Sequence, residues 1–141
     1  MDHHYEMFDD MLEGVQVIDR EYRYVYVNNT VANHGRVKKK ELLGRTMMEK
    51  YLGIEKTEMF DILSKCLKEK KSQRLLNKFE FPDGQFGYFE LRMQPVPEGV
   101  LILSMDVSKE KKLETELRMF NDRLEELVEE RTRELAGSLE H

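Results

Sequence analysis

Cysteine occurs only once in the 141-residue sequence, at Cys66, so an intramolecular disulfide and a cysteine-based metal site are both excluded. Long apolar runs are missing too, because none approaches the roughly 20 residues that a helix needs to cross a bilayer. No signal peptide is recognisable, since charged and histidine residues from Asp2 to Glu6 interrupt the apolar ones. An excess of positive charge is also absent, and the net charge of −5 argues against a protein that binds the backbone of a nucleic acid. We therefore expect a soluble chain that binds no nucleic acid.

Motifs of enzyme active sites are absent from the sequence as well. It contains no glycine-rich phosphate loop, no G-x-S-x-G motif and no H-E-x-x-H motif. We therefore predict that this chain catalyses no reaction by itself and holds no metal.

Short elements of both types are predicted in the first part of the chain. Apolar residues at helical spacing predict an N-terminal helix within residues 1–13, which Gly14 would end. Two runs rich in β-branched and aromatic residues predict a pair of strands joined by a tight turn. These strands, and two short helices after them, are predicted at 15–20, 23–28, 30–34 and 41–44.

A longer amphipathic helix is predicted at residues 57–70, with Thr57 as its N-cap and Cys66 as an ordinary core residue on its apolar face. Three strands are predicted after it, at 73–81, 88–94 and 100–105. The last of them is apolar on both faces, so we expect it at the centre of the sheet. The pattern predicts an α+β domain, with a five-stranded antiparallel sheet and a helical insertion.

Residues 109–135 have a different character, because 16 of the 27 are charged and none is glycine or proline. The apolar residues follow a 4-3-4-3 spacing, which is the heptad pattern of a coiled coil. The spacing slips by one position after Leu127, where Arg131 and Glu134 occupy the old core positions. We expect a homodimer whose seam consists of Leu113, Leu117, Phe120, Leu124, Leu127, Val128 and Leu135.

Several motifs between residues 5 and 108 resemble the PAS sensor family in their order and spacing. They are Gly14–Asp19, Tyr24–Asn28, Glu41–Gly44, Phe79–Gly84, Gln94–Gly99 and Met105–Ser108. The resemblance implies a PAS fold over 14–108, followed by a coiled-coil signalling helix over 109–138. Residues 139–141 resemble the start of a vector-encoded tag. Where the family often has a helix-ending glycine, this sequence has Arg36, so we expect the turn after His34 to differ.

The resemblance also implies a sensory role in signal transduction. Residues 124–135 resemble the linker that precedes the phosphoacceptor helices of two-component histidine kinases, so a missing kinase domain is the expected output. Asp106, Val107 and Ser108 would transmit a change in the sheet to the long helix. A cytoplasmic location is expected, whether or not the parent protein is attached to a membrane. A ligand-free assembly module, a diguanylate cyclase and a transcription regulator remain alternatives.

A ligand pocket is expected between the sheet and the helices, because folds of this kind hold ligands there. Its predicted walls are His34, Phe60, Leu63, Phe79, Phe89, Leu91 and Leu103. Haem-binding PAS domains usually supply a histidine from the long internal helix, and residues 57–70 contain none. Flavin-thiol photosensors need a cysteine near Gly44, and residues 44–48 contain none. Neither cofactor is expected, and the sequence leaves the ligand open.

Overall fold

The computed structural model describes residues 3–139, and the chain divides into two units between Val107 and Ser108. The second unit is a single helix, α5 (Ser108–Leu139). In chain order, the first unit contains a 3₁₀ helix (His3–Phe8), β1 (Gly14–Asp19), β2 (Tyr24–Val27), α1 (Asn29–His34), α2 (Lys39–Leu42), α3 (Met47–Lys50), a second 3₁₀ helix (Ile54–Lys56), α4 (Glu58–Glu69), β3 (Gln73–Glu80), β4 (Phe86–Val96) and β5 (Gly99–Asp106). The predicted tag residues 140 and 141 lie outside the described residues.

One antiparallel sheet contains all five strands, in the order β2-β1-β5-β4-β3. The helices α1 to α4 form an insertion between β2 and β3. This arrangement confirms the predicted α+β class and the PAS topology. It also places the doubly apolar β5 at the centre, where both of its faces are covered.

Side chains alternate along each strand, and the strands β1 and β5 carry apolar residues on both faces of the sheet. On the inner face, β5 contributes Val100 and Ile102, which pack with residues of α2, α3 and α4. On the outer face, β5 contributes Leu101 and Leu103, which pack with the N-terminal segment. The domain therefore has two hydrophobic clusters, separated by the sheet.

The N-terminal helix differs from the prediction, since it is a 3₁₀ helix that ends at Phe8. Tyr5 and Phe8 both pack against the outer face, and their spacing of three matches the three residues per turn of a 3₁₀ helix. Met11 packs against the same face beyond the end of the helix. Tyr5 stacks on Tyr26, whose hydroxyl donates to the carboxylate of Asp9. Contact with the sheet therefore sets the conformation of this segment.

Several further elements differ from the sequence prediction. The second 3₁₀ helix was not predicted, and α2 lies two residues earlier than the predicted 41–44. The helix α3 was not predicted, although Thr46 and Glu49 form a capping box at its start. The strand β4 is longer than predicted, because Pro95 lies within it and pairs with Val100 of β5. Pro95 is beyond the end of β3, so its missing N–H costs no hydrogen bond on that side.

Candidate functional site

A cavity of about 470 Å³ lies between the inner face of the sheet and the helical insertion. Apolar and aromatic side chains from the sheet, from α1 and from the segment around α3 dominate its lining. The largest of these are Tyr24, Met47, Tyr51, Phe79, Phe89 and Ile102. A concave and mainly apolar cavity of this size suits a small molecule.

The structure brings four of the predicted wall residues to this cavity: His34, Phe79, Phe89 and Leu91. The other three lie elsewhere. Leu103 is on the outer face, because it alternates with Ile102 and Ser104, which do line the cavity. Leu63 is fully buried in the inner core.

Phe60 is also outside the lining, because its ring packs against another part of the domain. It lies 4.5 Å from the ring of Tyr22, in the turn between β1 and β2. The Tyr22 hydroxyl pairs with Ser64 on α4 at 2.7 Å. Phe60 and Ser64 thus hold α4 against the turn between β1 and β2, and Phe60 does not line the cavity.

Apart from His34, the polar lining residues were not predicted, and Gln16, Ser104 and Thr57 are examples. Ser104 pairs in register with Leu91 of β4, so it shares the inner face with that residue. The alternation of β4 was visible in the sequence, but its register with β5 was not. If that register had been known, Ser104 could have been predicted as a lining residue of the cavity.

Asn28 positions the first helix of the insertion. Its side-chain oxygen accepts hydrogen bonds from the backbone N–H groups of Val15 and Val31, at 3.0 and 2.9 Å. Its side-chain nitrogen donates to the carbonyls of Phe8 and Glu13. Asn28 therefore caps α1 and ties it to β1 and to the N-terminal segment.

A close approach at Gly14 lets α1 lie directly on the sheet. A Cβ atom added at Gly14 would lie 2.3 Å from Ser104 Oγ and 3.0 Å from Val31 Cβ. Only glycine leaves room for these two neighbours, so the inner-face position of α1 depends on it.

The turn after α1 has Arg36 where the family often has a glycine. Arg36 has a φ of 58°, a left-handed conformation that glycine adopts more easily. Its guanidinium lies 3.9 Å from the centre of the Phe81 ring and pairs with Asp83 at 2.9 Å. The backbone N–H of Gln85 and then Arg36 hold the pKa of Asp83 below its usual range. The side chain of Arg36 thus joins this turn to the β3–β4 connection.

His34 is the one titratable lining residue on α1. Its ring lies 5.2 Å from the ring of Phe89, on the inner face of β4. Burial lowers the pKa of His34 below the ordinary 6.5, and the Asp106 carboxylate opposes that shift. The imidazole is therefore neutral at neutral pH.

The predicted transmission residues lie where the sheet passes into the long helix. Asp106 is the last residue of β5, and Ser108 is the first residue of α5. Between them, the Val107 N–H donates to the Tyr88 carbonyl of β4 at 2.8 Å. The structure gives this position in the chain, and the role in transmission stays a prediction.

The helix α5 leaves its apolar seam exposed. The predicted seam residues are between 44 and 65% exposed: Leu113, Leu117, Phe120, Leu124, Leu127, Val128 and Leu135. Ion pairs such as Arg118–Glu114 lie along the helix surface. Within residues 3–139, no helix combines the length and apolar character needed to cross a membrane.

Comparison with known proteins agrees with this architecture. A family model of the PAS fold matches residues 8–112, well over half of the chain. The PAS domain of a Colwellia psychrerythraea protein superposes with a TM-score of 0.62 at 14% identity, over 76% of this chain and 96% of that one. No curated protein is significantly similar in sequence.

Two other solved structures share the fold. The VqmA dimer of Vibrio cholerae gives a TM-score of 0.64 at 16% identity, over 77% of this chain and 52% of that one. A PAS domain from a two-component sensor histidine kinase gives 0.56 at 10% identity, over 74% and 93%. Identities this low show a shared fold and nothing finer. Together with the family match, the fold shows that the chain belongs to the PAS family of sensory domains.

Proposed function

We propose that this chain is the sensory module of a two-component histidine kinase, in which a small molecule in the cavity changes the sheet and α5 relays that change. One observation carries the proposal: the central strand β5 lines the cavity and leads through Val107 alone into α5. A molecule that contacts Ile102 or Ser104 therefore touches the strand that directly precedes the long helix. Such a relay needs an element with two states, which both ends bias.

Pairing of α5 with the same helix of a second copy would provide the output side. The exposed heptad seam favours this, because two copies can bury equal apolar stripes against each other. The slip after Leu127 is our candidate for the two-state element. Arg131 and Glu134 occupy the old core positions there. Because both side chains are charged, the contact between the two helices is weaker at this point than at a leucine pair.

The choice of a histidine kinase rests on the sequence of α5. Residues 124–135 resemble the linker that precedes phosphoacceptor helices, and the kinase domain would follow in the parent protein. The fold shared with a histidine kinase PAS domain is compatible with this, but by itself it selects no output. We also propose a cytoplasmic location, which the unpaired and buried Cys66 supports.

Native mass spectrometry of the purified protein, with a denatured control, tests the sensory part. We expect a dimer with additional mass that disappears on denaturation. A dimer of bare chain mass would favour the alternative of a ligand-free assembly module. A bare monomer would contradict the pairing of α5.

A graft series tests the output. Residues 1–135 are joined to the dimerisation and catalytic regions of a histidine kinase that lacks its own sensor, with zero to seven helical residues inserted at the junction. Autophosphorylation should return at zero and seven insertions, because only a full heptad restores the seam. The same series on a diguanylate cyclase tests the alternative output. Activity that ignores the insert length would contradict a relay through α5.

The active graft also tests the slip in the seam. Replacing Arg131 and Glu134 by leucine would continue the original heptad pattern, so we expect the output to be held in one state. An output that still responds as before would show that the slip is not the switch.

A further inference from the structure

The two outer strands of the sheet differ in what lies beside them. At β2, the chain between α2 and α3 is hydrogen-bonded to the strand: the Tyr24 N–H donates to the Arg45 carbonyl, and the Gly44 N–H donates to the Tyr24 carbonyl. At β3, one side pairs with β4, and no strand or turn within residues 3–139 pairs with the other side. We call this other side of β3 the open edge. An open strand edge can pair with a further strand, and native proteins control such edges.

The backbone groups on the open edge follow from the register of the sheet. The Val107 N–H donates to the Tyr88 carbonyl, so the backbone groups of Tyr88 point towards β5. The next residue, Phe89, therefore points its backbone groups towards β3, where it is paired with Asn77. Directions alternate along β3 in the same way, so its even-numbered residues point their N–H and C=O groups away from β4. These residues are Arg74, Leu76, Lys78 and Glu80.

The open edge of β3 borders the cavity. All residues from 77 to 80 line the cavity, although the side chains of successive strand residues point to opposite faces. Lys78 and Glu80 have their side chains on the outer face, so their backbone groups are the parts that reach the cavity. A strand that paired with the open edge would therefore lie beside the cavity.

The sequence of β3 is complementary to itself when two copies of the strand run antiparallel about Asn77. On the outer face, Arg74 of each copy then lies opposite Glu80 of the other copy. On the inner face, Leu75 lies opposite Phe79. Even-numbered residues pair with even-numbered ones in this register, so the backbone groups of the two open edges face each other. Opposite charges and apolar residues that lie directly opposite each other stabilise an antiparallel pair.

Other registers of the same pair are less favourable. A shift by two residues places Lys78 opposite Arg74 in one direction and opposite Lys78 of the other copy in the other direction. Like charges at opposite positions destabilise a strand pair. A shift by one residue places the groups of the open edge opposite residues whose own groups point towards β4. The sequence therefore selects one register, which is symmetric and joins two copies only.

We propose that the two sensory domains of the dimer pair through the open edge of β3, in the antiparallel register about Asn77. A contact between two strand edges is smaller than the interfaces that hold proteins together by themselves. Pairing of α5 compensates for this, because it raises the effective concentration of one domain near the other to roughly the millimolar range. The inference therefore rests on the dimerisation proposed above and names the surface through which the domains meet. A bound molecule and the second copy would contact the same strand.

Asn77→Cys in the full chain tests the contact, with copper phenanthroline as the oxidant. Opposite residues of a pair without hydrogen bonds have Cα atoms about 4.5 Å apart, a distance that a disulfide spans. Gln73→Cys is the matched control, because it lies on the same face of β3 but about 27 Å from its counterpart in this register. We expect Asn77→Cys to form a disulfide-linked dimer at least about tenfold faster than Gln73→Cys. The native Cys66 is buried in both variants.

An exchange of charges tests the register. In the Asn77→Cys chain, either Arg74→Glu or Glu80→Arg alone places like charges opposite each other and should slow disulfide formation about fivefold. Both changes together restore opposite charges and should restore the rate. Within one copy, positions 74 and 80 are about 20 Å apart, so pairing between copies is the reason for this recovery. The double variant does not repair the ion pair of Arg74 with Glu90. A double variant as slow as Arg74→Glu would overturn the register.

Sedimentation equilibrium of the same variants under reducing conditions separates this inference from the proposed function. A dimer in which Asn77→Cys reacts no faster than Gln73→Cys would overturn the pairing of β3 and leave the pairing of α5 standing. A monomer with no difference between the two variants would overturn both. A monomer in which Asn77→Cys still reacts faster would support the pairing of β3 and contradict that of α5.

Discussion

Asn28 is fully buried, and its side-chain amide joins three segments of the sensory domain. All four of its hydrogen-bonding positions are used, two as acceptor and two as donor. The family motif placed an asparagine here at the end of the second strand. The structure shows why this residue type is needed: no other side chain of this size both donates and accepts in this way.

Replacing Asn28 tests this role in stability. Asn28→Ala leaves buried backbone groups without partners and should lower the free energy of unfolding by about 3 kcal/mol. Asn28→Asp should also be destabilising, because its carboxylate would face the Phe8 and Glu13 carbonyls. Urea denaturation followed by circular dichroism measures both. The control Asn33→Ala, on the exposed side of α1, should change it by only about 0.5 kcal/mol.

The lowered pKa of His34 predicts a pH dependence of stability. In the unfolded chain His34 takes up a proton near pH 6.5, whereas in the folded domain it does so only at lower pH. Between these values the unfolded state binds more protons, so the free energy of unfolding should fall as pH drops below about 7. In urea denaturation at pH 7.5, 6.5 and 5.5, His34→Asn should show a smaller fall. An equal fall in both proteins would contradict the prediction.

At the scale of elements, α5 combines a narrow apolar seam with charged faces. A helix of this kind gains most of its stability from packing rather than from intrinsic propensity. Paired seams would provide that packing, and they would give the helix the rigidity that a relay requires. We therefore expect α5 to act as a relay only when it is paired.

A charge placed in the seam tests that pairing. Leu124→Lys removes a core leucine from each copy, which should weaken the dimer by about 3 kcal/mol, or roughly hundredfold. Sedimentation equilibrium measures the dissociation constant. The control Asp122→Lys lies outside the seam in the heptad pattern, so it should leave the constant nearly unchanged. Equal effects of the two substitutions would contradict a seam through Leu124.

At the scale of the whole molecule, the two units have separate sources of stability. Both hydrophobic clusters of the first unit consist only of residues before Val107. The second unit has no cluster of its own within the described residues, and its apolar side chains are exposed. The stability of the sensory domain should therefore not depend on α5, whereas dimerisation should depend on it.

Removing α5 tests this division. A chain of residues 1–107 should fold, stay monomeric and keep the free energy of unfolding of the sensory domain within about 1 kcal/mol. Its urea midpoint should not depend on protein concentration. The full chain, by contrast, should form a larger fraction of dimer as its concentration rises. Failure of the shortened chain to fold would show that the sensory domain needs α5.

Most elements of the fold could be predicted from the sequence, because local signals mark them. Thr57 caps α4 as expected, since its hydroxyl accepts from the Phe60 N–H. The apolar β5 is central, because a strand without a polar face has to be covered on both sides. The N-terminal segment was predicted less well, because contact with the outer face of the sheet selects its 3₁₀ conformation.

By itself, the sequence determined the order of the strands and the membership of the PAS family and predicted a seam on α5, since these depend on patterns within short stretches of chain. Only the tertiary structure decided which side chains meet in the cavity, because strand register and close approaches such as Gly14 to Ser104 join residues far apart in sequence. Leu103 and Ser104 show the difference: a shift of one residue along β5 exchanges the inner face for the outer one. The sequence alone could not tell which of the two faces the cavity.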